Sequence, residues 1–143
     1  MNETNGGGEV TTTRSAMAWS WRREVPMLTI ILGMFVASAL AWSHVDLPIP
    51  THWNASGEVD GYGGRFERLL LFPLIALGLY GLLVVLPKAD PARANYESFA
   101  SSYGWIRLGI TAFMGLLHGF VVATALGANV NMFLVFPLAI GVL

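Results

Sequence analysis

Residues 69–86 read LLLFPLIALGLYGLLVVL, an apolar run without a charge. At about 1.5 Å per residue a helix of this length covers roughly 27 Å, close to the hydrocarbon thickness of a bilayer. A similar run precedes it, VPMLTIILGMFVASALAWS at 25–43. A third extends from Leu108 to Leu126, with His118 as its one ionisable residue. Three such runs in a chain of 143 residues make lipid the solvent. Composition agrees, because charged residues are 12% of the chain, about half the share of a soluble domain, and mean hydropathy is +0.59. The expected fold is all-α, a polytopic transmembrane helical bundle with three full spans and a partial or truncated fourth.

The spans are placed at about 25–43, 69–86, 106–127 and 130–143, with an outer loop at 44–68 and an inner loop at 87–105. Together they form a membrane domain over 19–143. The last run, VNMFLVFPLAIGVL, covers only roughly 21 Å and reads as part of a longer chain. Residues 1–18 are rich in Gly, Thr and Asn and are expected to be a disordered tail. Ala39-Leu40-Ala41 has the form of a signal-peptide cleavage site. The run around it is too long for a usual signal core, and Glu3, Glu9 and Glu24 precede it, so it reads as an uncleaved span.

Net charge is −1, which gives no case for nucleic acid, and the absence of cysteine excludes disulfides and thiol chemistry. Basic residues set the expected orientation. Arg14, Arg22, Arg23, Lys88, Arg93 and Arg107 flank one side of the spans and Arg65 and Arg68 the other, six against two. The excess belongs in the cytoplasm, so the chain is read as a multi-pass cell-membrane protein with a cytoplasmic N-terminus and an external 44–68 loop.

The inner loop offers Asp90-Pro91 as a helix start, followed by Tyr96, Phe99 and Tyr103 on one face. This reads as an amphipathic helix on the inner leaflet, with a docking surface for a cytoplasmic partner as the alternative. Within the spans, Gly33, Ala37 and Ala41 form one ridge of small residues, and Gly115, Gly119, Ala123 and Gly127 another, suited to close helix packing or to a homo-oligomer contact. His118 is read as a neutral histidine hydrogen-bonded to another helix, with proton transfer as the alternative.

The outer loop contains LPIPTHWNASGEVDGYGGR at 47–65. Its prolines enforce an extended start, Asn54 to Gly57 is a turn signal, and Glu58-Val59-Asp60 can run back. A hairpin-like cap is expected. His52, Glu58 and Asp60 could bind a divalent cation, or the polar side chains could simply hold the loop backbone while Trp53 and Tyr62 sit at the headgroups. Ser56 and His52 lack an orienting acid, so no catalytic residue is assigned.

The segment Pro50-Thr51-His52-Trp53-Asn54-Ala55-Ser56-Gly57, continued by Asp60-Gly61-Tyr62-Gly63, resembles the N-terminal signature of the SdpI-type membrane immunity family. DPARANYESF at 90–99 is similar to that family's second loop. The resemblance implies a polytopic prokaryotic membrane protein that gives immunity to a toxin peptide, signals as a receptor that holds a cytoplasmic repressor, or does both. It carries His52, Asn54, Gly57, Asp60, Gly63 and Arg65 over as ligand-binding residues. Longer members continue to a Gly-[Ile/Leu]-Arg-x-Pro motif that this chain does not reach. The expectation is thus a non-enzymatic protein without a cofactor, partnered by the lipid bilayer and an extracytoplasmic peptide. The alternatives are a metal-binding membrane sensor or enzyme using His52, Glu58 and Asp60, and a structural subunit of a larger membrane complex.

Overall fold

A computed structural model describes residues 21–92, 95–128 and 141. The tail 1–18 and the fourth run at 130–143, apart from Gly141, lie outside the described residues. Among the described residues, three helices are long and apolar enough to cross a membrane: α1 (Trp21–Ala41), α2 (Leu71–Ala89) with the π-helical turn Phe66–Leu70 leading into it, and α4 (Ala100–Ala125). A single turn, α3 (Asn95–Ser98), precedes α4. Leu32, Leu40, Leu82 and Leu116 are exposed along the helices, as expected of side chains whose solvent is lipid.

The helices begin and end where polar partners allow, which differs from the limits of the apolar runs. The π turn starts at Phe66 because the Glu67 carboxylate accepts the Gly64 N–H at 3.1 Å and tethers the turn. Helix α4 starts at Ala100, well before the expected 106, because its polar residues find partners inside the bundle. Tyr103 donates to the Leu83 carbonyl at 2.8 Å, and Arg107 meets Glu24. The expected surface helix over the inner loop is corrected accordingly. Asp90 ends α2 and accepts the Ala92 N–H at 2.8 Å in a local turn, instead of capping a helix. Tyr96, Phe99 and Tyr103 do share a face, with centroids 5.1 and 5.3 Å from Tyr96, but Tyr103 belongs to α4.

The packing of α1 on α4 is the most extensive between helices. The ridge glycines are not equivalent within it. A Cβ on Gly115 would lie 2.8 Å from Ile30 Cγ2, so close approach requires glycine there. At Gly33 and Gly119 a Cβ would meet nothing within 4 Å among the described residues. Among the described residues, Gly33, Ala37, Gly119 and His118 line an apolar groove of about 440 Å³ beside the Gly115 contact.

Two antiparallel strands, β1 (Ile49–Trp53) and β2 (Val59–Gly63), form a hairpin at one end. Ile49 is 1% exposed and packs with Val45, Ala41 and Leu69, so the hairpin is fastened to the helices by its first residue.

Candidate functional site

Three polar clusters lie at three depths along the bundle. The first is the hairpin. Asn54 holds its tip: Oδ1 accepts the Ser56 N–H at 2.9 Å and the Glu58 N–H at 3.0 Å, and the Asn54 N–H donates to the Glu58 carbonyl at 2.9 Å. Gly57 has φ +82°, a left-handed conformation that a side chain would strain. The register then slips. Pro50 pairs with Tyr62, His52 with Gly61 and Trp53 with Val59, so Thr51 and Asp60 are extra residues on their strands. Such bulges re-aim side chains. Here the slip brings His52 Nδ1–H to donate to Asp60 Oδ1 at 2.5 Å, with the His52 side chain 72% and the Asp60 side chain 42% exposed.

Glu58 does not join them, since its carboxylate accepts from Asn54 Nδ2 at 3.2 Å. Among the described residues no three His, Cys, Asp or Glu side chains converge as a metal cluster. The proposed triad of His52, Glu58 and Asp60 is therefore split in two. Gly63 pairs with Ile49 at the hairpin base, and Arg65 donates Nη2–H to the Val45 carbonyl at 2.9 Å. Of the sequence-derived site residues, His52 and Asp60 are displayed. Asn54, Gly57, Gly63 and Arg65 shape or fasten the display. Tyr62 is 62% exposed and is a displayed residue missing from the sequence-derived set. The strand alternation that puts Tyr62 and Asp60 on one side was the available signal.

The second cluster lies inside the bundle, toward the hairpin ends of α1 and α4. Pro73 has no N–H to offer the Leu69 carbonyl four residues earlier. The buried Ser38 hydroxyl of α1 donates to that carbonyl. His118 Nε2 lies 3.1 Å from Ser38 Oγ and 3.1 Å from the Met34 carbonyl. The Ser38 hydroxyl also lies 3.0 Å from the Met34 carbonyl, and its single proton serves one carbonyl at a time; with that proton on Leu69, Nε2–H of His118 donates toward Met34 and Ser38. The expected interhelical bond of His118 is thus present. The same device recurs lower in α2, where Pro87 leaves the Leu83 carbonyl to be taken by Tyr103.

The third cluster lies at the end opposite the hairpin and was not foreseen. Glu24 and Arg107 form a two-pronged ion pair, Nη1 to Oε1 at 3.0 Å and Nη2 to Oε2 at 2.7 Å, with side chains 6% and 11% exposed. Tyr80 donates to Glu24 Oε2 at 2.8 Å, and the guanidinium carbon sits 5.4 Å from the Tyr80 ring centroid. One residue from each of α1, α2 and α4 is locked together. In the sequence Glu24 and Arg107 read as flanking charges, because they are 83 residues apart and lie outside the apolar runs. Outside the spans, Tyr96 donates to Asp90 Oδ2 at 3.1 Å, and partial removal from water, with that carboxylate, raises its phenol above the ordinary value.

The family model for a domain of unknown function (DUF1648) matches residues 29–77, a region that runs from within α1 through the hairpin into α2. No curated protein matches the chain, and no solved structure matches it.

Proposed function

We propose that the protein is a non-enzymatic integral membrane protein of SdpI-like type, whose hairpin contacts an extracytoplasmic peptide and serves toxin immunity, membrane signalling or both. The observation that carries this reading is the contrast within the hairpin. Its backbone is held by Asn54, Gly57, Ile49 and Arg65, while His52, Asp60 and Tyr62 are left to solvent on a frame that cannot easily shift. A rigid display of an imidazole, a carboxylate and a phenol suits recognition, because little ordering entropy remains to be lost on binding. The match over residues 29–77 centres on the same hairpin and its two helical attachments, which supports placing the function there. The excess of basic residues at the opposite end supports an external hairpin and a cytoplasmic N-terminus. A cytoplasmic repressor or a homo-oligomer partner would then meet the other face of the bundle.

The test is genetic and biochemical together. His52→Ala, Asp60→Ala and Tyr62→Ala should each abolish protection or signalling in cells while membrane abundance and melting temperature stay at wild-type values. Three variants with full activity would refute the hairpin as the contact surface. For orientation, a cysteine at Ser56 should react with an impermeant maleimide in intact cells, and one at Ser101 only after permeabilisation.

A further inference from the structure

At the end opposite the hairpin, a cleft of about 250 Å³ opens between the start of α1 and the start of α4. Arg22 and Arg23 line it from α1. Ser101 and Trp105 line it from α4, and Pro26 and Leu108 form its apolar floor. Among the described residues, neither guanidinium has an ion-pair partner, in contrast to Arg107, which is committed to Glu24. Trp105 is 71% exposed, at the level where a helix leaves the hydrocarbon and an indole is at home among headgroups. Gly104, between Ser101 and Trp105 on the cleft side, presents no side chain to narrow it.

We infer that this cleft binds the headgroup of an anionic phospholipid, with Arg22 and Arg23 on the phosphate and the upper acyl chain against Pro26 and Leu108. Two cations beside an apolar floor match a molecule that is anionic at one end and hydrocarbon at the other. A free phosphate would use the cations and leave the floor wet. Basic clefts between transmembrane helices at the headgroup level are suited to such lipids, because guanidinium groups grip phosphate oxygens in a two-pronged geometry. The volume admits a headgroup and the first carbons of a chain but not a whole lipid. The remaining chains would lie along the exposed flank of α4, where Ile106 is 54% exposed.

The experiment titrates the full chain in detergent with phosphatidylglycerol, phosphatidylcholine or inorganic phosphate, and counts bound molecules by native mass spectrometry. Phosphatidylglycerol should bind in preference to phosphatidylcholine by on the order of tenfold or more. The preference should disappear in the Arg22→Gln/Arg23→Gln double variant and persist in Lys88→Gln, which removes a cation at the same end but outside the cleft. Equal binding of the two lipids, or an unchanged preference in the double variant, overturns the inference. Displacement of phosphatidylglycerol by millimolar inorganic phosphate would assign the cleft to a soluble anion and also overturns it. A readout on the unaltered protein covers failure of the double variant to insert. Brominated phosphatidylglycerol should quench tryptophan fluorescence at a lower mole fraction than brominated phosphatidylcholine, and equal quenching counts against the lipid site.

Discussion

Two acid–base pairs among the described residues, Glu24–Arg107 and His52–Asp60, have similar contact distances of 2.7 and 2.5 Å and opposite surroundings. The first is almost sealed inside the bundle and has Tyr80 as a third partner. The second stands in solvent at the hairpin. A buried pair holds structure because removing one member strands a desolvated charge. An exposed pair is screened by water and contributes little to stability. The inner pair therefore joins three helices, whereas the outer one is available to bind something else.

That contrast can be broken in order of expected effect. Arg107→Ala leaves the Glu24 carboxylate buried without its cation, and should cost about 3–5 kcal/mol, read as a lower melting temperature in detergent. Adding Glu24→Gln to it should recover part of that loss. If Arg107→Ala melts like wild type, the pair is not a structural clamp. Gly115→Ala forces a Cβ against Ile30 and should cost about 1–3 kcal/mol, while Gly119→Ala, where the described residues leave space for a Cβ, should be near neutral. Ile30→Ala in the Gly115→Ala background should relieve the clash.

Ser38→Ala removes the donor to Leu69 and should cost about 1–2 kcal/mol, with Tyr103→Phe smaller because its bond to Leu83 is only part-buried. Equal melting of Ser38→Ala and wild type would show that the Leu69 carbonyl finds another donor. At the small end, His52→Ala should change melting by less than about 1 kcal/mol and yet remove protection or signalling. A large stability loss there would move His52 from the display to the frame.

Much of the fold was legible in the chain. Long uncharged runs demand helices in lipid, because a backbone in hydrocarbon must satisfy its own hydrogen bonds. The hairpin was legible too, since Pro48, Pro50, Asn54 and Gly57 act through local backbone geometry. The inner ends were not legible: α4 begins at Ala100 because Tyr103 and Arg107 have partners in α2 and α1, and hydropathy counts both only as interruptions. The candidate site divided in the same way. The residues of the turn could be read as a set, but which of them point to solvent depended on the slip in register between β1 and β2.

By itself, then, the sequence determined that this is a membrane protein with three full-length apolar spans over 25–126 and a furnished hairpin between the first two, because hydrophobic length and turn chemistry are local properties. Only the tertiary structure decided that Glu24 and Arg107 are one clamp and that Pro73 and Pro87 are answered by Ser38 and Tyr103. It also decided that His52 meets Asp60 while Glu58 turns to Asn54. Each of these is a pairing between groups whose energies depend on burial and on which element lies alongside, and neither is written in the order of residues.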